Sequence, residues 1–157
     1  MFRVLFVCTG NICRSPTAEG VFRALVSDEG LAGRIETDSA GTIAFHVGEP
    51  PDLRAREAAL ARGIDLGELR ARQVGVKDFT RFDMVVALDR SHHRQLVELC
   101  PKREGHRVRM LMAFAPTAGV EDIPDPYYGG PGGFDRVYAP IEAGAAGLLA
   151  EIRDKHL

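Results

Sequence analysis

The chain reads as a doubly wound α/β sandwich of three layers, flavodoxin-like, with a central parallel sheet of about four strands and helices on both faces. Three observations predict this. Short apolar runs alternate with segments of helical period along the chain, and that alternation implies a parallel sheet covered on both sides. Right-handed crossovers then leave few topologies. The length, 157 residues, suits one domain with a single core, taken as residues 1–157.

The expected elements follow in order. Strands are expected near 2–7, 35–39, 84–88 and 107–112, and helices near 16–29, 52–62, 90–99 and 135–155. The first helix shows Ala18, Val21, Phe22, Leu25 and Val26 at helical spacing, with Gly30 as its stop. Ser15 reads as its N-cap and Pro16 as its first helical residue. Pro140 conflicts with the last helix, because proline beyond the first turn costs about 3 kcal/mol or more. The helix is therefore expected to start near Ala139 or to kink there.

Composition is that of a globular chain, 45% hydrophobic and 27% charged with net charge −2. This gives no basic surface for nucleic acid and no apolar run long enough to span a membrane. The motif described next begins within the first ten residues, so a cleaved signal peptide would remove it, and a cytoplasmic location is expected. Three cysteines, Cys8, Cys13 and Cys100, fit a reducing compartment and lack the paired spacing of a zinc site. Neither a metal nor a cofactor is expected.

The chemistry concentrates in Cys8-Thr9-Gly10-Asn11-Ile12-Cys13-Arg14-Ser15-Pro16. This loop joins the first strand to the first helix. Helix N-termini present unpaired N–H groups and positive potential, so a tetrahedral oxyanion is the natural guest. That field also favours the thiolate form of Cys8. Arg14 supplies a planar fork for two phosphate oxygens, and the Ser15 hydroxyl could donate to the thiolate. Thr9 to Ser15 are thus the expected phosphate-binding residues, with phosphate or sulfate as bound anion. The loop sits at the carboxyl edge of the sheet, where such folds bind ligands. The alternative is a structural cysteine before a helix that contains Arg. A Walker-type nucleotide loop is excluded by its missing Gly-Lys pattern.

A second segment, Ile123-Pro124-Asp125-Pro126-Tyr127-Tyr128-Gly129-Gly130, offers a carboxyl group on a stiff loop. Read from residues alone, Asp125 is either a general acid or a turn aspartate. Glu121 and Asp122 are weaker candidates for the acid. Asn11 tolerates left-handed backbone and is expected to hold the loop's shape, with Ser39 joining that network. Phe45, Tyr127 and Tyr128 are expected to line the entrance, where aromatic rings could stack on a substrate ring. His46, beside Phe45, could touch the substrate or face solvent.

The two motifs together resemble the low-molecular-weight protein tyrosine phosphatases over nearly the whole chain. The resemblance implies hydrolysis of phosphotyrosine through a phosphocysteine, with Cys8, Arg14 and Asp125 catalytic. It implies that the loop from Ala40 to Pro51, with Phe45, forms the second wall of the pocket, and that Asp89 supports the site. Helix capping is the simpler role for Asp89. Cys13 shares the tight loop with Cys8, and the resemblance supports a reversible Cys8–Cys13 disulfide that protects the nucleophile. Ile12 stands where arginine-directed relatives carry Thr, which favours the tyrosine-directed branch. Protein-arginine phosphatase is one alternative. Thiol-dependent arsenate reductase is another, although Cys100 lacks the close cysteine partner that chemistry needs. A non-catalytic phosphate-binding module would lack Cys8 or Asp125. The expected partners are phosphotyrosine-bearing proteins, a tyrosine kinase among the candidates, with the chain a monomer or weak dimer. One departure stands out: Leu69 precedes Arg70-Ala71-Arg72-Gln73 where relatives tend to place a polar residue.

Overall fold

The computed structural model describes residues 1–130 and 132–157. Four parallel strands form one sheet in the order β2-β1-β3-β4: β1 (Phe2–Cys8), β2 (Ile35–Gly41), β3 (Met84–Ala87) and β4 (Val108–Met110). β1 pairs with β2 from Phe2 opposite Ile35 to Cys8 opposite Gly41, and with β3 from Val4 opposite Met84 to Val7 opposite Ala87. Strand order therefore reverses beside β1, and the crevice for a ligand opens at the carboxyl ends of β1 and β3.

The β1 side chains divide by period two. Val4, Phe6 and Cys8 join one core layer, and Leu5 and Val7 join the other. The first face is covered by α1 (Arg14–Asp28) and by α6 (Tyr138–His156). The second is covered by α3 (Asp78–Arg81) and α4 (Arg90–Leu99). Helix α2 (Leu53–Leu60) and the short α5 (Gly133–Arg136) pack beside α1 and the acid loop. The four expected strands all form, although β2 runs on to Gly41 and β4 shrinks to three residues.

Two expectations are corrected. Ser15 is not an N-cap: α1 begins at Arg14, with Cys13 at the cap position and no side chain capping it. A capping side chain would occupy the N–H donors that a bound anion needs. Gly30 does stop the helix, at φ 72 in the left-handed region. The span 135–155 is two helices, which meet at Val137. Pro140 then falls in the first turn of α6, where its missing N–H breaks no bond. The Pro140 conflict thus disappears without a kink.

Candidate active site

The loop after β1 is held open by one side chain. Asn11 adopts φ 59, the left-handed region, and is the one non-glycine residue described with positive φ. Its amide donates to Ser15 Oγ (2.8 Å) and Ser39 Oγ (2.9 Å), and its Oδ1 accepts from the Arg72 backbone N–H (3.0 Å). Gly41 permits this crossing, since a Cβ there would stand 2.6 Å from Thr9 O. Backbone bonds from Thr42 to Cys8 O and from Asp52 to Ile12 O fix the two flanks.

Cys8 Sγ lies at the carboxyl end of β1, 3.0 Å from Ser15 Oγ. Asn11 already donates to that oxygen, so the Ser15 proton is free to point at sulfur. The competing acceptor, Ala40 O, is farther at 3.5 Å. Cys13 lines the same cleft, but burial, reinforced by the charges of Asp52, Cys8 and Asp125, pushes its thiol far up. Cys13 therefore keeps its proton, and the two cysteines are chemically distinct.

Arg14 is buried and braced from one side. Its Nη1 donates to Asp89 Oδ2 and to Ile123 O, each at 2.9 Å. Its Nη2 stands 3.7 Å from Asp125 Oδ2. Asp89 both caps α4, accepting from the His92 N–H, and grips Arg14. Burial opposes ionisation of Asp89, but its hydrogen bonds from Ser91, His92 and Arg14 outweigh that and hold the carboxyl below its usual range.

Asp125 is carried on a loop tied to the sheet by the Ile123 N–H to Leu88 O (3.0 Å). Its Oδ1 accepts from the Tyr127 N–H at 3.0 Å, which leaves Oδ2 toward Arg14. The weaker acid candidates face elsewhere. Asp122 accepts from the Arg90 backbone and guanidinium, which lowers its pKa, and Glu121 pairs with Arg90 at 3.3 Å.

These groups surround a cleft of about 290 Å³. Cys8, Thr9, Gly10, Ile12, Cys13 and Arg14 contribute its floor, and Ile43, Phe45, His46, Asp125, Tyr127 and Tyr128 its walls. All four expected pocket residues, Ile12, Phe45, Tyr127 and Tyr128, thus meet at one opening. Phe45 and Tyr128 are strongly exposed rather than core residues. His46 also lines the cleft, with Nδ1 2.9 Å from Glu49 Oε2. Cys100 lies elsewhere, in the layer beneath α4.

Sequence reasoning missed two buried polar residues. Glu19, on α1, accepts from Ser39 Oγ (2.7 Å) and pairs with Arg23. Burial pushes its carboxyl up against those two partners. The relay from Asn11 through Ser39 therefore ends on Glu19 and Arg23, while Leu69 packs against the apolar core. His92, on α4, contacts Thr9 and Arg14. The i,i+3 spacing of Asp89 and His92 was the available signal for it.

Comparison with known proteins agrees with this architecture. The family model described as "Low molecular weight phosphotyrosine protein phosphatase" matches residues 3–157. A Streptomyces coelicolor protein named low molecular weight protein-tyrosine-phosphatase is 48% identical over 98% of this chain and 95% of its own. The crystal structure of YfkJ from Bacillus subtilis superposes with a TM-score of 0.95 at 38% identity, covering 100% of this chain and 98% of that one. A protein tyrosine phosphatase from Entamoeba histolytica, solved with Hepes in its active site, gives 0.95 at 34% identity, with both chains covered completely. Together with the strand-end cysteine loop and the facing aspartate, these matches show that the chain belongs to the low-molecular-weight phosphotyrosine protein phosphatase family.

Proposed function

We propose that this chain hydrolyses phosphotyrosine in proteins, with Cys8 as nucleophile, Arg14 as phosphate ligand and Asp125 as acid and then base. The observation that carries the assignment is the convergence of three groups on one cleft: Cys8 beneath the Ser15 hydroxyl, Arg14 braced by Asp89, and Asp125 Oδ2 facing Arg14.

In the first step the Cys8 thiolate attacks phosphorus in line. The S–P bond forms, the P–O bond to the tyrosine breaks, and Asp125 gives its proton to the departing phenolate. Arg14 and the N–H groups of residues 9–15 hold the equatorial oxygens. In the second step water attacks the phosphocysteine, Asp125 takes the proton, and phosphate and the Cys8 thiolate are released. The Ser15 hydroxyl stabilises that thiolate. The cradle supplies the positive field, so turnover is proposed to continue in EDTA. Cys13 is proposed to trap oxidised Cys8 as a disulfide.

The tyrosine assignment is supported by the names of the similar proteins, by Ile12 as an apolar floor, and by the rings of Phe45, Tyr127 and Tyr128 at the entrance. Among the described residues no helix is long and apolar enough to cross a membrane. A single cytoplasmic domain acting on phosphotyrosine-bearing proteins, a tyrosine kinase among the candidates, as monomer or weak dimer, completes the proposal. Phosphate release from matched phosphotyrosine and phosphoarginine peptides, with parent and Cys8→Ser proteins in EDTA, tests it. Cys8-dependent release from phosphotyrosine is expected. Preference for phosphoarginine would overturn the substrate assignment, and equal release by Cys8→Ser would overturn the nucleophile.

A further inference from the structure

His92 is 1% exposed and lies where α4 meets the cysteine loop. Its Nε2 is 2.8 Å from Thr9 Oγ1 and 3.5 Å from Arg14 Nη2. Thr9 and Arg14 stand at opposite ends of the cradle, so one ring touches both ends. A guanidinium only donates hydrogen bonds. Nε2 must therefore carry a lone pair, and the Thr9 hydroxyl donates to it. The ring proton then sits on Nδ1, which faces Asp89 Oδ1 at 3.1 Å, though the contact is too bent for a good hydrogen bond.

We propose that His92, as a neutral hydrogen-bond acceptor, is a positioning residue that fixes Thr9 and Arg14 in the geometry that grips the phosphoryl group. A cation at Nε2 would have no lone pair for Thr9 and would repel Arg14. The surroundings keep the ring neutral: burial and Arg14 outweigh the carboxylates of Asp89, Asp125 and Asp122 that face it. Asp89 and His92, one helical turn apart, thus act on the cradle together. Asp89 pulls on Nη1 as an anion, and His92 meets Nη2 and Thr9 without adding charge. This assignment rests on the anion-cradle reading and does not depend on which phosphoester is hydrolysed.

The test compares His92→Gln, whose side-chain oxygen can reach the place of Nε2, with His92→Leu, which keeps bulk and loses the acceptor. Inorganic phosphate binding is measured by calorimetry, so the outcome stands apart from the choice of substrate. Phosphate is expected to bind His92→Leu about tenfold more weakly than the parent, because the Thr9 hydroxyl and the buried Arg14 guanidinium both lose the acceptor that holds them in place. His92→Gln is expected to stay within about threefold. With a phosphotyrosine peptide, KM should rise in His92→Leu and recover in His92→Gln. Should His92→Leu fail to fold, Thr9→Val removes the same bond from its other end and is expected to weaken phosphate binding about three- to tenfold. Equal phosphate binding by the Leu and Gln variants, or unchanged binding by Thr9→Val, would overturn the proposal.

Discussion

Ser15 Oγ lies 3.0 Å from Cys8 Sγ because Ser15 sits inside the first turn of α1 instead of capping it. Asn11 occupies the oxygen's acceptor side and leaves the proton for sulfur. The sulfur thus gains a hydrogen-bond donor beside the N-terminal end of a helix.

That relationship predicts a selective defect in Ser15→Ala. A hydrogen bond to a charged group is worth about 1.5–3 kcal/mol, so the turnover number should fall roughly 10–100-fold. The loss should exceed any change in inhibition by phosphate, since Arg14 and the loop N–H groups remain. Pre-steady-state kinetics with an aryl phosphate would check this, through a slower breakdown of the phosphocysteine, the step that releases the Cys8 thiolate.

Asp125→Asn should separate leaving groups. Loss of a general acid costs roughly 10²–10⁴-fold where the departing oxygen needs a proton. Phosphotyrosine should show the full loss, and an aryl phosphate with an acidic phenol a smaller one. Equal losses on both would assign Asp125 a purely structural part.

Buried His92 makes the fold sensitive to acid. Its pKa is pushed down to about 4 from an ordinary 6.5, first by burial and then by Arg14. Between those values the unfolded chain binds the extra proton and the folded chain does not. Stability is therefore lost as pH falls from about 6.5 toward 4, by on the order of 3 kcal/mol from this group. Glu19, whose carboxyl is raised by burial, works with the opposite sign above its unfolded value. Comparing parent with His92→Gln isolates the histidine: urea midpoints at pH 6.5 and 4.5 should converge more in the variant than in the parent.

Cys13 should matter only under oxidants. Its buried thiol keeps its proton in the resting site and so does not compete with Cys8 for phosphate; once peroxide has turned Cys8 into a sulfenic acid, the Cys13 sulfur beside it in the cleft condenses with it to the disulfide, releasing water. Cys13→Ser should turn over at a rate near the parent's, yet recover less activity after peroxide and subsequent thiol treatment. Equal recovery would remove the protective role.

Much of this was legible in the sequence where local pattern and tertiary packing agree. The β1 run has buried residues on both faces because β1 lies between β2 and β3 with a helical layer on each side. The loop from Cys8 to Ser15 announces its anion site through residue types alone. What escaped was set by distance in the chain. Glu19 reads as one acid on a helix, and only the docking of β2 brings Ser39 against it. His92 lies in a polar run beside His93, and only the approach of α4 to the loop after β1 shows that it is buried. The start of α1 was misplaced because capping preference points to Ser15, whereas the loop keeps those N–H groups for an anion. Helix α3 has four residues, too short for any periodicity to show.

Covalent catalysis by Cys8 is tested by trapping the intermediate. The parent protein would be mixed with excess aryl phosphate, quenched in alkaline denaturant within the first turnover, and digested for mass spectrometry. One phosphoryl group is expected on the peptide that carries the carboxyl end of β1, located by fragmentation at Cys8, and none in Cys8→Ser. A phosphoryl group on Cys13, or rapid turnover with no labelled cysteine, would contradict it.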